Sequence, residues 1–501
     1  MKFLKTIIAL FSICAGLASC TGVEGDSQKT YPILFTENPI MTGANGGSYS
    51  TVFISDFQWT ADAVDAWISD VSVEGSEVTF TVASNPEETA RDGKIRFTVS
   101  GDDYTQDLTV RQTGNSGKLK VEKTQVTLGT LGAKVEVKVS SSENWTASVT
   151  PSQEWLKAER KNSTTLELSA KPNYLGSVLT ADVTVQTASG KEKAVIKVTQ
   201  KADNADFANA STPQTREFVY KSDGLVSQIV EDKFYTVGDH VNAIEIQFRN
   251  TSGSSYSPYS VFMFEVDLTG DVTILASCSN DDPASIKKTD AQETILTTIR
   301  DQFYAMQTKR PEIEVLCGVN GDFCYGGEDG RNNLLHGIMY KDGNCLKDTF
   351  DGGTPCTVFA MMKDGTARIM NQTQYASQKT NIQEAIGGRQ RLIESGQTVN
   401  FTDTRLEPRT AVGVSQDGTK VYLLIVDGRR SGYSIGADYA LLAKLFQMYG
   451  VYNAINLDGG GSSTFLVKDA NASKGFKTRN RPTDNTGDRK LPNGLAVVRK
   501  K

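Results

Sequence analysis

Leu441-Leu442-Ala443-Lys444-Leu445-Phe446-Gln447-Met448-Tyr449-Gly450-Val451-Tyr452-Asn453-Ala454-Ile455-Asn456-Leu457-Asp458-Gly459-Gly460-Gly461-Ser462-Ser463 decides how the C-terminal half folds. Leu441, Leu442, Leu445 and Phe446 share one face at helical spacing, which predicts a helix over 437–449, and Gly450 stands where a C-terminal cap belongs. The apolar run Ala454-Ile455-Asn456-Leu457 then reads as a buried strand that delivers Asp458 to its end. Three glycines follow, and without Cβ atoms their backbone N–H groups can approach an anion closely.

Outward from this unit, apolar runs predict strands at 243–248, 262–268, 313–319, 410–414 and 421–426, the last continuous enough for a central strand. A second helix is expected over 291–306. Many strands and few helices indicate an α+β domain with mixed sheets. Polar strings recur at the strand ends: Gly318-Val319-Asn320-Gly321-Asp322-Phe323, Arg409-Thr410-Ala411-Val412-Gly413 and Val426-Asp427-Gly428-Arg429. Polar loops that cap several apolar strands are where such sheets place ligands.

Together with Asn456 to Ser463, these strings resemble the motifs of the phosphodiester glycosidase family. The resemblance spans 218–498, with Asn480-Arg481-Pro482 and Arg489 to Asn493 also matching. One stretch departs: Asn320-Gly321-Asp322-Phe323-Cys324 stands where the family has Asn-Gly-Gly-Phe-Phe. The resemblance implies hydrolysis of the bond between a sugar anomeric carbon and a phosphodiester. That reaction needs a grip on phosphate, and guanidinium groups bind phosphate oxygens in a bidentate fork. Arg409 and Arg429 are the phosphate candidates, with Arg489 a third. Asp458, Asp427 and Asp322 are the acid/base candidates, Asn320 and Asn456 the side-chain donors, and Gly459, Gly460 and Ser462 the anion-binding turn. His336 sits in an apolar setting, Leu334-Leu335-His336-Gly337-Ile338, and reads first as a structural imidazole.

Two other functions fit the same residues. Asp322, Asp427 and Asp458 around a Ca²⁺ or Mg²⁺ ion would make a metal-dependent phosphodiesterase, whereas two histidines in the chain disfavour zinc. A degenerate domain would leave a non-catalytic glycan-binding surface protein. Intact Asp458, Arg409 and Asp427 argue against that.

The N-terminal half carries a repeat. Trp67 and Trp155, Asn85 and Asn173, and Gln112 and Gln200 are each 88 positions apart. Alternating runs such as Val78-Phe80-Val82, Ile95-Phe97-Val99 and Val135-Val137-Val139 have the period of half-buried strands, so each copy reads as a β-sandwich. Gln58-Trp59-Thr60-Ala61 with Ala66-Trp67-Ile68, and Asn144-Trp145-Thr146-Ala147 with Glu154-Trp155-Leu156, resemble the paired tryptophan motifs of BACON domains, which implies that each sandwich is immunoglobulin-like. A tryptophan among β-branched strand residues is more often core than sugar platform, so the modules read first as spacers and second as carbohydrate binders. The chain divides into sandwiches at 20–115 and 116–202, a polar linker at 203–216, and the candidate catalytic domain at 217–501.

Ahead of the repeats, Lys2 and Lys5 precede an apolar run from Ile7 to Leu17, too short to span a bilayer, that ends in Leu17-Ala18-Ser19-Cys20. This resembles a lipobox, with signal peptide 1–19 and lipid on Cys20. The expected product is a bacterial envelope lipoprotein, facing the periplasm or the cell surface and attached to the membrane through its lipid alone. The remaining composition is that of globular domains, with 38% hydrophobic and 22% charged residues. A net charge of -6 and no long basic run argue against nucleic acid as a partner; the partner that the family resemblance implies is carbohydrate or a sugar phosphodiester. Of seven cysteines, Cys278, Cys317, Cys324, Cys345 and Cys356 remain beyond the signal and the lipid site, so at least one thiol stays unpaired within the chain.

Overall fold

The computed structural model describes residues 31–87, 89–114, 119–252, 255–287, 293–326, 333–350, 357–484 and 488–501. The lipobox at Cys20 and the thiol of Cys356 lie outside them. Two compact units emerge. The first comprises the described part of Met1–Leu128 with Ala133–Lys171 and Thr180–Thr199; the second comprises Gly129–Gly132, Pro172–Leu179 and Gln200–Lys501.

Each repeat is a pair of four-stranded sheets around one apolar core. In the first copy the sheet Leu34–Phe35, Gly47–Ile54, Glu77–Val82, Ile68–Glu74 faces the sheet Ile40–Thr42, Thr105–Gln112, Arg91–Val99, Trp59–Ala63, and the second copy repeats the order. Alternation does this: Val78, Phe80 and Val82 are buried while Thr79 is exposed. Trp59 and Trp145 are buried, and Trp67 and Trp155 half-buried. The conserved spacing has a polar cause. Asn85 Nδ2 donates to Thr89 O and Thr113 O, and Asn173 Nδ2 donates to Ser177 O and Lys201 O, each acceptor again displaced by 88 positions. A fully buried amide must satisfy its donors, so these two residues clamp equivalent loops in the two copies.

The second unit is built on an eight-stranded sheet in the order Gln228–Gly238, Val241–Ser252, Ser255–Asp267, Lys420–Val426, Arg409–Val414, Asn453–Leu457, Arg391–Glu394, Gln397–Thr398. Both of its faces are covered. Val421, Leu423 and Ile425 pack into one core and Tyr422, Leu424 and Val426 into another, which is why 421–426 reads as a continuous apolar run. The second core includes Leu442, Leu445 and Phe446 of the helix Tyr439–Gln447, whose N-cap Asp438 accepts from Leu441 N–H and whose Gly450 takes φ +70°. The first core is closed by two five-stranded sheets. One is Val272–Cys278, Asn493–Lys500, Ile313–Asn320, Phe465–Lys468, Phe476–Thr478; the other is Asn344–Lys347, Met339–Lys341, Ile382–Gly388, Thr357–Met362, Ala367–Asn371.

Three expectations need correction. Every described strand pairing in this unit is antiparallel, so its sheets are not mixed: no helix here carries the chain across to a parallel neighbour. The helix expected over 291–306 runs instead over Ile299–Lys309, because Thr298 caps it by accepting from Asp301 N–H and Thr297–Thr298 are held as a strand against Lys490–Leu491. Residues 203–216 are not a bare linker. Asn204–Phe207 form a 3-10 turn, the helix Pro213–Lys221 begins within the segment, and Phe207 and Ala210 are buried in the helix-side core. Arg216 donates to Tyr174 O at 2.8 Å. Among the described residues, Cys278, Cys317 and Cys324 are free thiols.

Candidate active site

Antiparallel pairing brings the polar strand ends to one edge, where starts and ends of strands alternate. Asp458 follows Asn453–Leu457, Asn320 closes Ile313–Asn320, and Arg409 opens Arg409–Val414. Backbone and side chain stitch the two sheets there: Asp458 N–H donates to Gly321 O at 3.0 Å, and Asn320 Nδ2 donates to Asp458 O at 2.6 Å.

Asp458 and Asp322 are the two carboxyls this edge brings together. Asp322 is buried and accepts from Phe323 N–H at 2.7 Å on one oxygen and from Gly337 N–H at 2.8 Å on the other. A Cβ on Gly387 would sit 2.6 Å from Asp322 Oδ2, so glycine there lets the backbone close over the acid. Burial pushes the Asp322 carboxyl up to about 7, against the pull of those N–H groups and of Lys347, and the Asp458 charge adds to the rise. Asp458 keeps part of its surface open although its carboxyl is enclosed. Burial raises that carboxyl to about 6, opposed by the Ser462 hydroxyl, the Arg489 charge, the Gly459 N–H and the Arg389 charge.

Other candidates serve this pair indirectly. Asn320 is fully buried with both ends of its amide engaged, Oδ1 accepting from Thr410 Oγ1 at 2.9 Å and from Thr464 N–H at 3.1 Å, so it struts the two strand ends. Asn456, also buried, turns back on its own strand, Nδ2 donating to Leu457 O at 2.8 Å. Asp427 accepts from Asn480 Nδ2 at 2.8 Å, Arg481 N–H at 2.7 Å and Tyr433 Oη at 3.0 Å. Burial raises its carboxyl against these bonds, and through them it ties the Tyr433 and Asn480-Arg481 segments together. Asn480 passes that order on, donating to Ser463 O at 2.9 Å.

The glycine turn is also not the open anion nest its sequence suggests. Gly460, at φ +63°, donates to Pro408 O at 2.8 Å, and Ser462 and Ser463 N–H donate to Gly459 O and Gly460 O. The Gly459 N–H is turned to Asp458. The turn therefore aims Asp458 and Ser462 and spends most of its own donors doing so.

The arginines sort by what already holds them. Arg409 donates to Ala437 O at 3.1 Å, Arg405 O at 3.1 Å and Tyr439 Oη at 3.3 Å, and lies 4.4 Å over the Tyr439 ring. Its neighbour Thr410 faces Asn320, so strand alternation turns Arg409 to the helix side, where these partners occupy the guanidinium expected to bind phosphate. Arg429 sits beside Gly460, half exposed and paired with Glu407 at 2.6 Å. Arg489 donates from Nη1 to Ser462 Oγ at 3.3 Å and forks onto Asp484 at 2.6 and 2.8 Å. Arg389 was not singled out in the sequence. It follows Gly387-Gly388 at a strand end, and that placement, shared with Asp458, was the available signal. Its guanidinium lies 4.5 Å over the Phe323 ring and contacts the ring nitrogens of His336 through Nη2. Among the described residues no group of three His, Cys, Asp or Glu is placed to hold a metal ion, and Asp427 does not gather with Asp322 and Asp458 as a Ca²⁺ or Mg²⁺ site would require.

Residues 314–498 match the phosphodiester glycosidase family. Residues 57–113 and 143–201 match the BACON domain, described as an N-terminal binding domain, one match in each repeat. No curated protein matches the chain significantly. Among solved structures, the zebrafish N-acetylglucosamine-1-phosphodiester alpha-N-acetylglucosaminidase catalytic domain, auto-inhibited by pro-peptide, is 20% identical and covers 53% of this chain and 87% of its own, with a TM-score of 0.39. A hypothetical protein from Synechocystis is 12% identical and covers 93% of this chain and 92% of its own, with a TM-score of 0.37. The phosphodiester glycosidase match contains Asp322, Arg389, Asp458 and Arg489 and stops short of neither strand end that carries the two carboxyls.

Proposed function

We propose that this phosphodiester glycosidase-like domain hydrolyses the bond between a sugar anomeric carbon and the oxygen of a phosphodiester. The observation that carries the reading is the pair Asp322 and Asp458, on adjoining strand ends, electrically coupled and shifted toward neutrality, with the Arg489 guanidinium beside Asp458. Such a pair offers one protonated and one ionised carboxyl near pH 7, the division of labour that acid/base hydrolysis needs. Asp458 acts at the anomeric carbon, as base toward water or as nucleophile. The departing phosphate is weakly basic, so a cation that stabilises its charge matters more than full protonation. Water oxygen ends on the sugar and its second proton on solvent, giving a reducing sugar and a phosphomonoester.

Hydrolysis of alkyl sugar 1-phosphates in isotopically labelled water tests this. Label is expected on the sugar and absent from the phosphomonoester; label in phosphate would mean cleavage at phosphorus and overturn the assignment. The two N-terminal modules serve as spacers between this domain and a lipid on Cys20, which keeps the enzyme on the bacterial envelope within reach of glycan or glycoconjugate substrates.

A further inference from the structure

Four arginines surround Asp458 or its turn, and three are already neutralised. Arg429 pairs with Glu407 at 2.6 Å, Arg489 with Asp484 at 2.6 Å, and Arg409, besides its carbonyl bonds, lies 4.0 Å from Asp403. Among the described residues Arg389 alone of the four has no carboxylate within 4.0 Å.

Its position is nevertheless fixed. Arg389 N–H donates to Asn456 O at 3.0 Å, and its carbonyl accepts from Thr357 Oγ1 at 2.8 Å, so the backbone is pinned two residues from Asp458 along the neighbouring strand. Phe323 backs the guanidinium plane. His336 takes Nη2, and His336 is itself held, with its N–H on Phe323 O at 3.0 Å and its ring centroid 4.1 Å from that of Tyr325. Nε is buried and meets no acceptor, and Nη1 has no partner among the described residues. A fixed cation with orphaned donors costs free energy unless something completes it, and a phosphate oxygen is the acceptor that suits both its charge and its fork.

Resting on the phosphodiester reading above, we propose that Arg389 is the phosphate-binding residue of this site and that His336 is the positioning residue that holds it, so that the ligand is a singly charged phosphodiester. Of the two groups only the imidazole has an acceptor atom, so in this contact Arg389 Nη2 donates and a ring nitrogen of His336 accepts.

Full-length Arg389→Met keeps an apolar stem over Phe323 and removes the fork. Two probes separate binding from turnover: dimethyl phosphate, titrated without catalysis, and methyl diesters of hexose 1-phosphates set against the p-nitrophenyl glycosides of the same hexoses, with thermal melting confirming that each variant folds. Arg389→Met is expected to weaken dimethyl phosphate binding and to lower kcat/KM on the diesters about tenfold to a hundredfold, with a smaller loss on the uncharged glycosides, which miss only the Arg389 charge felt by Asp458. His336→Leu should move the diester KM in the same direction with kcat little changed, and His336→Gln, whose amide oxygen accepts, should restore it. Unaltered dimethyl phosphate binding in Arg389→Met, equal losses on charged and uncharged substrates, or failure of His336→Gln to exceed His336→Leu would overturn the proposal. Wild-type protein that binds dimethyl phosphate through Arg389 but releases no sugar from any diester would refute the hydrolytic reading and leave the phosphate site standing.

Discussion

At the scale of single residues, Asp458 and Asp322 carry the most specific expectations. Asp458→Asn keeps the shape of the side chain and its contact with Ser462 but loses the basic oxygen, so kcat should fall about 10²–10⁴-fold with little change in melting temperature. Retained turnover with lost stability would reduce Asp458 to a cap for its glycine turn. The pH profile of kcat/KM should rise as the pair loses its first proton near 6 and fall as it loses its second near 7, values that belong to the coupled pair. Stability has its own sign. The folded Asp322 carboxyl sits above its ordinary value, so the stabilisation from its neutral form is complete at pH below about 4 and is lost as pH rises through about 7. Asp322→Asn removes that slope but sets an amide N–H₂ against the Gly337 or Phe323 N–H. Melting curves from pH 5 to 8 should show the variant less stable than wild type at the acid end and the gap narrowing upward. Arg409→Leu, by contrast, should lower the melting temperature by removing three hydrogen bonds and a ring contact, and leave KM for diesters unchanged.

At the scale of elements, the segment 203–216 shows what composition conceals. Asp203, Asn204, Asn209, Ser211 and Pro213 read as polar and small, yet Phe207 and Ala210 between them are buried. A fragment starting at Thr215 would lack both, as well as Thr212, which caps the helix Pro213–Lys221. Burying one such aromatic stabilises by about 1.5–3 kcal/mol. Fragments starting at Asp203 and at Thr215 should therefore differ clearly in denaturant midpoint, the longer being the more stable; equal midpoints would return the segment to a linker. The same elements show how far sequence reaches into a site. The strand ends at Asp322 and Asp458 were legible because an apolar run followed by a carboxylate and glycine has few other uses. The direction in which Arg409 turns was not legible, because periodicity locates a strand but not which face each residue takes, and Thr410 took the face toward Asn320. The partners of Asn320 and Asp427 were not legible either, because a buried strut and a catalytic group ask for the same polar atoms at a strand end. Arg389 stayed hidden because its partners, Phe323 and His336, are more than fifty positions away in sequence and meet it only once the sheets close.

At the scale of the whole chain, the 88-residue repeat was readable from its tryptophans, and the buried amides of Asn85 and Asn173 explain why the spacing holds: each must reach carbonyls on two loops at once. The proposed attachment to a membrane rests on four residues of sequence and is open to a direct test. Cys20→Ala should abolish incorporation of labelled fatty acid and release the protein from the membrane fraction with its melting temperature unchanged; acyl label kept by the variant would remove the lipid anchor.

The strand Asn493–Lys500 lies between Val272–Cys278 and Ile313–Asn320, so a strand far downstream of both neighbours is interior to their sheet. A chain emerging from the ribosome can pair its hairpins as they appear, but this sheet has a gap between those two strands until residue 493 and beyond are synthesised, and contacts of such long sequence separation close slowly. Asn493 also supplies the oxygens that hold the Asp322 N–H and the Gly321 N–H. Both the acid and the sheet that carries it thus wait for a residue 171 positions downstream of Asp322, and the nascent domain stays open, and inert, until that residue has been made.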